Sequence, residues 1–267
     1  MKKIFLYVNT SSEQAKNEAR SLEKFLAAHG ANIYTDKAEL DYSFDCMISV
    51  GGDGTFLRAA RAALRFGIPV LGINLGRLGF MTELEASETK LLERLFTREY
   101  KIEKRMLLDV EVIRNGETVV KDFAINEAVI RMGSLSRMLD LKLNAHGRAV
   151  SQYRADGILF STPVGSTGYA LSAGGPIMEP HMNSITTVPI CAHGLDARPI
   201  VFSKETELSV TLSNMKGKNA YISIDGMEGV ELTDEDVVKV EGSEDELKII
   251  KISSRSFYDQ LGTKLKF

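Results

Sequence analysis

The chain has no tryptophan, two cysteines, four histidines and six prolines in 267 residues. Two cysteines cannot build a disulfide framework, and neither Cys46 nor Cys191 sits in a C-x-x-C pair. Both are flanked by apolar residues, which predicts buried free thiols and suits a reducing compartment. Without an H-E-x-x-H pattern the few histidines build no zinc site. The prolines form no proline-rich linker. No stretch approaches the length of a membrane span, and the apolar run Ile4–Val8 is too short for the core of a signal peptide. A basic excess is also lacking: the formal net charge is −3, which argues against a nucleic-acid partner. A cytoplasmic protein with neither membrane nor nucleic acid as partner is the expectation.

What is present falls into two textures. From residue 1 to about 100, strand and helix signals alternate. Ile4–Val8 reads as a strand buried on both faces. Ser11-x-x-Gln14 has the pattern of a helix-capping box, followed by Ala15, Ala19, Leu22 and Leu26 at helical spacing, with Gly30 as terminator. Strands follow at 31–35, 44–50 and 70–74, with helices at 56–65 and 87–98. This alternation predicts an open parallel α/β sheet of Rossmann-like character. From 101 to 250 the apolar period becomes two, as in Leu108, Val110 and Val112, and Asn115-Gly116 is a hairpin turn signal. The only helical candidate there is short, around Ser166–Ser172. A second, mostly β domain is expected over 101–250, leaving the tail 251–267 without a partner inside it. The acidic clusters Asp234–Asp236 and Glu244–Glu246 read as solvated turns.

The most informative segment is FDCMISVGGDGTFL, residues 44–57. A buried strand runs into Gly51-Gly52-Asp53-Gly54-Thr55, and a helix begins. Ligands of open α/β sheets bind at the carboxyl ends of strands. Glycines let the backbone approach a phosphate, and the new helix offers free N–H groups and a positive dipole end. A carboxylate beside phosphates is unfavourable unless it holds a metal or accepts a proton from an attacking hydroxyl, which phosphoryl transfer requires. A tight turn with a helix-capping aspartate is the alternative for a G-D-G alone. The G-x-x-x-x-G-K-[ST] and G-x-G-x-x-G fingerprints are both absent.

The GGDGT turn resembles a superfamily of NAD kinases, lipid kinases and 6-phosphofructokinases. Asn126-Glu127 in AINEAVI, the run RADGILFSTPVGSTGYALSAGGP at 154–176, and Ala197-Arg198-Pro199 are similar to the NAD kinase family in particular, in order along the whole chain. Gly168 departs from that pattern, which has Ala there. The resemblance implies an α/β domain followed by a β-sandwich, with the tail returning to the first domain. It implies ATP and NAD as substrates, a divalent cation (Mg²⁺) as cofactor, and a homodimer or homotetramer with sites shared between subunits.

By the same resemblance, Asp53 is the base for the ribose 2′-hydroxyl, while Gly51, Gly52, Gly54 and Thr55 cradle phosphates. Arg77 meets a phosphate or is a surface arginine, and Phe80 packs on a base or in ordinary core. Asn126 and Glu127 interrupt an apolar strand and need polar partners. Arg154 and Asp156, which alone would read as a surface ion pair, are implied to contact phosphate and the nicotinamide end. Ser166, Thr167, Gly168, Tyr169 and Ser172 are implied to lie beside the adenosine. Asp225 belongs either to the nucleotide site or to a type I′ hairpin. No residue is assigned as a metal ligand.

Overall fold

A computed structural model describes residues 1–76, 79–133 and 137–265. The chain divides into two compact units, one of Met1–Arg105 with Glu246–Phe267 and one of Met106–Asp245.

The first unit begins β1 (Lys3–Val8), α1 (Glu13–Ala28), β2 (Asn32–Tyr34), β3 (Cys46–Val50), α2 (Asp53–Leu64), β4 (Val70–Asn74), β5 (Leu84–Glu85) and α3 (Arg94–Thr97). Its parallel strands lie in the order β2-β1-β3-β4. Every residue of β3 and β4 is buried, as central parallel strands covered on both faces must be. Because β2 and β3 leave β1 in opposite directions, the sheet has a switch point between β1 and β3, where α/β sheets hold ligands.

Local chemistry sets the element ends. Helix α1 is capped by Ser12, whose hydroxyl oxygen accepts the Ala15 N–H at 3.2 Å. Ser11, the expected cap, is instead held by the Asn9 side chain through its N–H and hydroxyl, so the helix starts one residue later. Ala15, Ala19, Leu22 and Leu26 form its buried face. The expected helix at 87–98 is mostly 3₁₀, over Ala86–Glu93, before α3. Its fully buried anchors Leu92 and Leu95 stand three apart, the period of a 3₁₀ turn.

The second unit contains β6 (Lys101–Arg114), β7 (Glu117–Ala124), β8 (Glu127–Met132), β9 (Leu139–Ala145), β10 (Arg148–Ala155), β11 (Gly157–Ser161), α4 (Tyr169–Ser172), β12 (Ser184–Ile190), β13 (Ile200–Ser203), β14 (Leu208–Ser213), β15 (Ala220–Ile224), β16 (Val230–Leu232) and the start of β17 (Asp236–Lys251). One antiparallel sheet runs β13-β12-β11-β8-β15-β16, and a second joins β10-β9-β14-β17 with β6 and β7. Ile130, Ile158, Phe160 and Ile222 from the first sheet share one core with Val110, Leu143, Val210 and Val238 from the second, which makes a β-sandwich. The Asn115-Gly116 turn has φ of 52° and 84°, the type I′ signature, and closes β6 onto β7.

The acidic clusters are only in part solvated turns: Asp234 and Glu235 form an exposed turn and Glu244–Glu246 are exposed, but Asp236 is not. Asp236 is buried and accepts two 2.7 Å bonds from the Arg114 guanidinium. Burial works to raise its pKa, but the Arg114 and Thr233 hydrogen bonds outweigh it and the net shift is downward. Glu244–Glu246 lies within the long strand β17. Of the two thiols, Cys46 is buried and Cys191 exposed. Cys191 follows the last residue of β12 with a positive φ of 47°, so an apolar neighbourhood in sequence did not translate into burial.

The end of β17 belongs to the first unit, where Ile249 pairs with Val70 of β4. Ile250 and Ile252 join a core with Ile4, Leu6 and Ile48. Helix α5 (Phe257–Leu265) completes that unit.

Candidate active site

In the first unit the glycine-rich turn follows β3. The Gly51 N–H bonds to the Ile73 carbonyl at 3.0 Å, tying the turn to the neighbouring strand. A Cβ on Gly51 would collide with the Thr55 side chain, so this turn accepts only glycine there. Thr55 is itself buried, with its N–H on the Gly52 carbonyl, and serves the turn rather than its surface. Gly52 and Gly54 are exposed. Asp53 is the first residue of α2 and half-buried. Its carboxylate accepts the Phe80 N–H at 3.0 Å and the Met81 N–H at 3.3 Å, one on each oxygen. Each oxygen keeps a further lone-pair direction for a substrate hydroxyl. A Cβ on Gly79 would overlap this carboxylate, so glycine there is a condition of its placement.

Phe80 is half-buried, and its ring meets Phe257 of α5 with centroids 6.4 Å apart. It is therefore neither ordinary core nor free surface. Arg77 lies outside the described residues.

A cavity of about 450 Å³ opens where β1 and β2 end, lined among others by Tyr7, Asn9, Thr10, Thr35, Lys37 and Arg58. The Lys37 ammonium lies 3.1 Å from the Tyr7 hydroxyl and 4.5 Å from its ring centroid. Sequence reasoning did not find these residues. Only the parallel pairing of β1 and β2 and the start of α2 bring two cations and three hydroxyls around one space.

In the second unit, Asn126 lies in the bend between β7 and β8, and Glu127 is the first residue of β8. Asp225 organises this bend: one carboxylate oxygen accepts the Asn126 N–H at 2.8 Å and the Glu127 N–H at 3.2 Å, the other the Ile125 N–H at 2.9 Å. Asp225 and Gly226 also have positive φ, 50° and 72°, with the Met227 N–H on the Ile224 carbonyl. Both sequence alternatives thus hold together: a type I′ hairpin whose aspartate braces the Asn-Glu pair. Asn126 Oδ1 and Glu127 Oε2 are buried with no hydrogen-bond partner among the described residues. Buried acceptors left this way demand a donor. Burial first, and the Asp225 charge second, push the Glu127 carboxyl up to about 7.

The segment 161–178 stands beside this pair. The Thr162 N–H bonds to the Asn126 carbonyl at 2.9 Å, and its hydroxyl donates to the Ile125 carbonyl at 2.7 Å. A Cβ on Gly165 would run into the Asn126 carbonyl. At Gly168 an added Cβ would lie 3.2 Å from the Gly165 carbonyl oxygen and 3.4 Å from Glu127 Oε2. The departure from alanine therefore leaves room directly beside the unpaired carboxyl oxygen. Ser166 is fully buried and spans the loop, donating to the Pro163 carbonyl at 2.6 Å and accepting the Met178 N–H at 3.0 Å. Its role is internal. The Thr167 hydroxyl donates to the Val164 carbonyl at 3.2 Å, while Gly168, Tyr169 and Ser172 are exposed.

Arg154 is exposed on β10, directly across from Asp140 of β9. Among the described residues it forms no ion pair with Asp156. The Asp156 backbone is fixed at both ends, its N–H on the Ile190 carbonyl at 3.0 Å and its carbonyl accepting the Met132 N–H at 2.8 Å. Among the described residues no group of three or more His, Cys, Asp or Glu could hold a metal. No described helix is long and apolar enough to cross a membrane.

A glycine-rich turn on a parallel sheet, with a fixed carboxylate at a helix start, and a β-sandwich bearing buried unpaired acceptors suit a nucleotide-dependent phosphotransferase. Comparison with known proteins specifies which. Residues 32–100 match the ATP-NAD kinase N-terminal domain, and residues 125–252 match the ATP-NAD kinase C-terminal domain. An NAD kinase of Caldanaerobacter subterraneus subsp. tengcongensis is 37% identical, with 99% of each chain covered. Another, from Lachnoclostridium phytofermentans, is 34% identical with the same coverage. Among solved structures, an NAD kinase from Archaeoglobus fulgidus in complex with ATP superposes with a TM-score of 0.78 at 25% identity, covering 100% of this chain and 99% of that one. Yeast NADH kinase complexed with NADH shares the fold, with a TM-score of 0.88 at 20% identity, covering 100% and 87%. The chain belongs to the ATP-NAD kinase family.

Proposed function

We propose that this chain transfers the γ-phosphoryl group of ATP to the 2′-hydroxyl of the adenosine ribose of NAD, giving NADP and ADP. The observation that carries this reading is the Asp53 carboxylate, fixed by two backbone N–H groups beside a phosphate-compatible turn. In phosphoryl transfer the protein mainly positions the nucleophile and offsets charge. Asp53 orients the 2′-hydroxyl and takes its proton. The backbone of Gly51, Gly52 and Gly54 lies close to the phosphates, and Arg77 is assigned to them as well. The cavity bearing Lys37 and Arg58 supplies the cations a triphosphate needs.

In the second unit, the unpaired oxygens of Asn126 and Glu127 take donors from NAD, which supports them as ribose or amide contacts. Thr167, Gly168, Tyr169 and Ser172 flank the adenosine, Arg154 and Asp156 serve the phosphate and nicotinamide end, and Phe80 packs on a base. Asp225 and Ser166 act by shaping the loops that carry these groups.

The divalent cation, Mg²⁺, enters with ATP, where it offsets the charge on the β and γ oxygens. The working form is a homodimer or homotetramer, a reading that rests on membership of the family. A strictly monomeric active enzyme in solution scattering would remove that part. The exclusion of a disulfide framework supports a cytoplasmic setting. The deciding assay is ATP-dependent formation of NADP, with the phosphate position read by NMR. Absence of product, or phosphate on another oxygen, refutes the assignment.

A further inference from the structure

The carboxylate of Asp53 is held by one short segment, Gly79–Glu83. Within it the Gly79 N–H bonds to the Thr82 hydroxyl at 3.0 Å, Phe80 and Met81 donate to Asp53, and the Glu83 N–H bonds to the Gly72 carbonyl at 2.9 Å. Both ends of this segment are gripped by the last residues of the chain. The Glu83 carboxylate is buried, accepts the Ile252 N–H at 2.8 Å and the Ser253 N–H at 2.6 Å, and pairs with Lys251. At the other end, the Phe80 ring lies against Phe257, and the Lys264 ammonium sits 4.8 Å from its centroid.

Helix α5 contributes little to the core, since Gln260 is its one buried residue. Yet the side chains of Phe257 and Lys264 both reach the residue whose N–H holds Asp53. A helix that buries so little adds little stability. The placement of these contacts is explained by what they restrain.

We propose that the C-terminal segment positions the catalytic carboxylate, with Phe257 and Lys264 acting as positioning residues through Phe80. The inference rests on Asp53 as the group that orients the acceptor hydroxyl. Loss of the α5 contacts frees the Phe80 peptide to rotate, and the carboxylate loses one of its two N–H anchors.

The test compares Phe257→Ala, Phe257→Tyr, Lys264→Ala and Lys264→Arg in the full chain, each alone and together with Asp53→Asn. For Phe257→Ala, kcat falls about 10-fold, and for the exposed Lys264→Ala about 3-fold, because small displacements of a reacting group are costly. KM for ATP stays within about 2-fold, and KM for NAD rises less than kcat falls, because Phe80 also packs on a base while the main loss is of the transition-state interaction. The Tyr and Arg variants retain the ring and the charge and keep the full rate. In the Asp53→Asn background, which is slow already, neither alanine variant lowers kcat further.

Unchanged kcat in folded Phe257→Ala and Lys264→Ala overturns the proposal. So does a rise in KM for NAD with kcat intact, which would mean that α5 serves only a base contact of Phe80. An equal further loss in the Asp53→Asn background overturns it too, since the helix would then act elsewhere. If Phe257→Ala does not fold, Lys264→Ala decides, because its side chain lies at the surface. A fast Asp53→Asn enzyme would instead sink the reading of Asp53 itself, a result distinct from all of these.

Discussion

Asp225 and Glu127 hold each other through the backbone: the Asp225 N–H donates to the Glu127 carbonyl at 2.9 Å, and the Glu127 N–H returns to the Asp225 carboxylate at 3.2 Å. The pair stands 98 residues apart in sequence and joins a hairpin to the start of β8. Asp225 uses both carboxylate oxygens, one for Ile125 and one for Asn126 and Glu127. Asn in its place keeps one acceptor and turns an amide N–H₂ toward N–H groups. Asp225→Asn is expected to cost about 1–3 kcal/mol of stability, the range for stranding a partly buried donor. KM for NAD should rise more than kcat falls, because the Asn126-Glu127 pair is displaced. Denaturant titration and steady-state kinetics check both, and an unaltered variant would show that the brace is dispensable.

Glu127 makes stability depend on pH. Its carboxyl is raised from 4.5 to about 7 by burial, with the Asp225 charge adding. A carboxyl raised in the folded state takes up protons there more readily than in the unfolded chain. Its contribution is therefore greatest at low pH, is lost as pH rises from 4.5 to about 7, and is level above that. The loss amounts to at most about 3 kcal/mol. Glu127→Gln abolishes it, so the stability difference between the variant and the native chain should grow in the variant's favour from pH 5 to pH 8. A difference that stays flat across this window would mean that Glu127 is ionised throughout.

Asp53→Asn removes the charge and keeps the shape. The fold should survive, since the turn depends on Gly51 and on the start of α2, but the amide N–H₂ faces the Phe80 or Met81 N–H and a loss of about 1–3 kcal/mol of stability is expected. Turnover is expected to drop about 10²–10⁴-fold, the range for a positioned general base. NAD lacking the adenosine 2′-hydroxyl should bind and accept no phosphate, whereas NAD lacking the 3′-hydroxyl should still react. Near-native turnover by the variant would exclude Asp53 as the base.

Gly79→Ala probes the same carboxylate from its other side. A Cβ there overlaps the Asp53 side chain, which must swing away. A displacement of this kind costs on the order of 10²-fold in rate. The effect should appear in kcat and not in the circular dichroism spectrum. A fully active Gly79→Ala enzyme would show that Asp53 works from another position.

Periodicity and turn chemistry made most of the fold legible before any coordinates. The wholly apolar β3 and β4, the period-two strands and the Asn115-Gly116 hairpin each carry their geometry in a few adjacent residues. The GGDGT turn was legible for the same reason, since its constraints are local. The 3₁₀ stretch at Ala86–Glu93 was not, because 3₁₀ and α patterns share their apolar positions over two turns. Cys191 read as buried and is exposed, and Asp236 read as solvated and is buried against Arg114. Burial of a single residue depends on what the rest of the chain brings to it, which no window of neighbours contains. The same limit hid the site's supports. Asp225 could be a hairpin or a site residue by sequence, and tertiary pairing made it the brace of Asn126 and Glu127. Asp53 announced itself as a carboxylate in a phosphate turn. That its oxygens are held by Phe80 and Met81, and that α5 reaches Phe80, was decided only by folding, because those partners are tens to hundreds of residues away and meet it through packing.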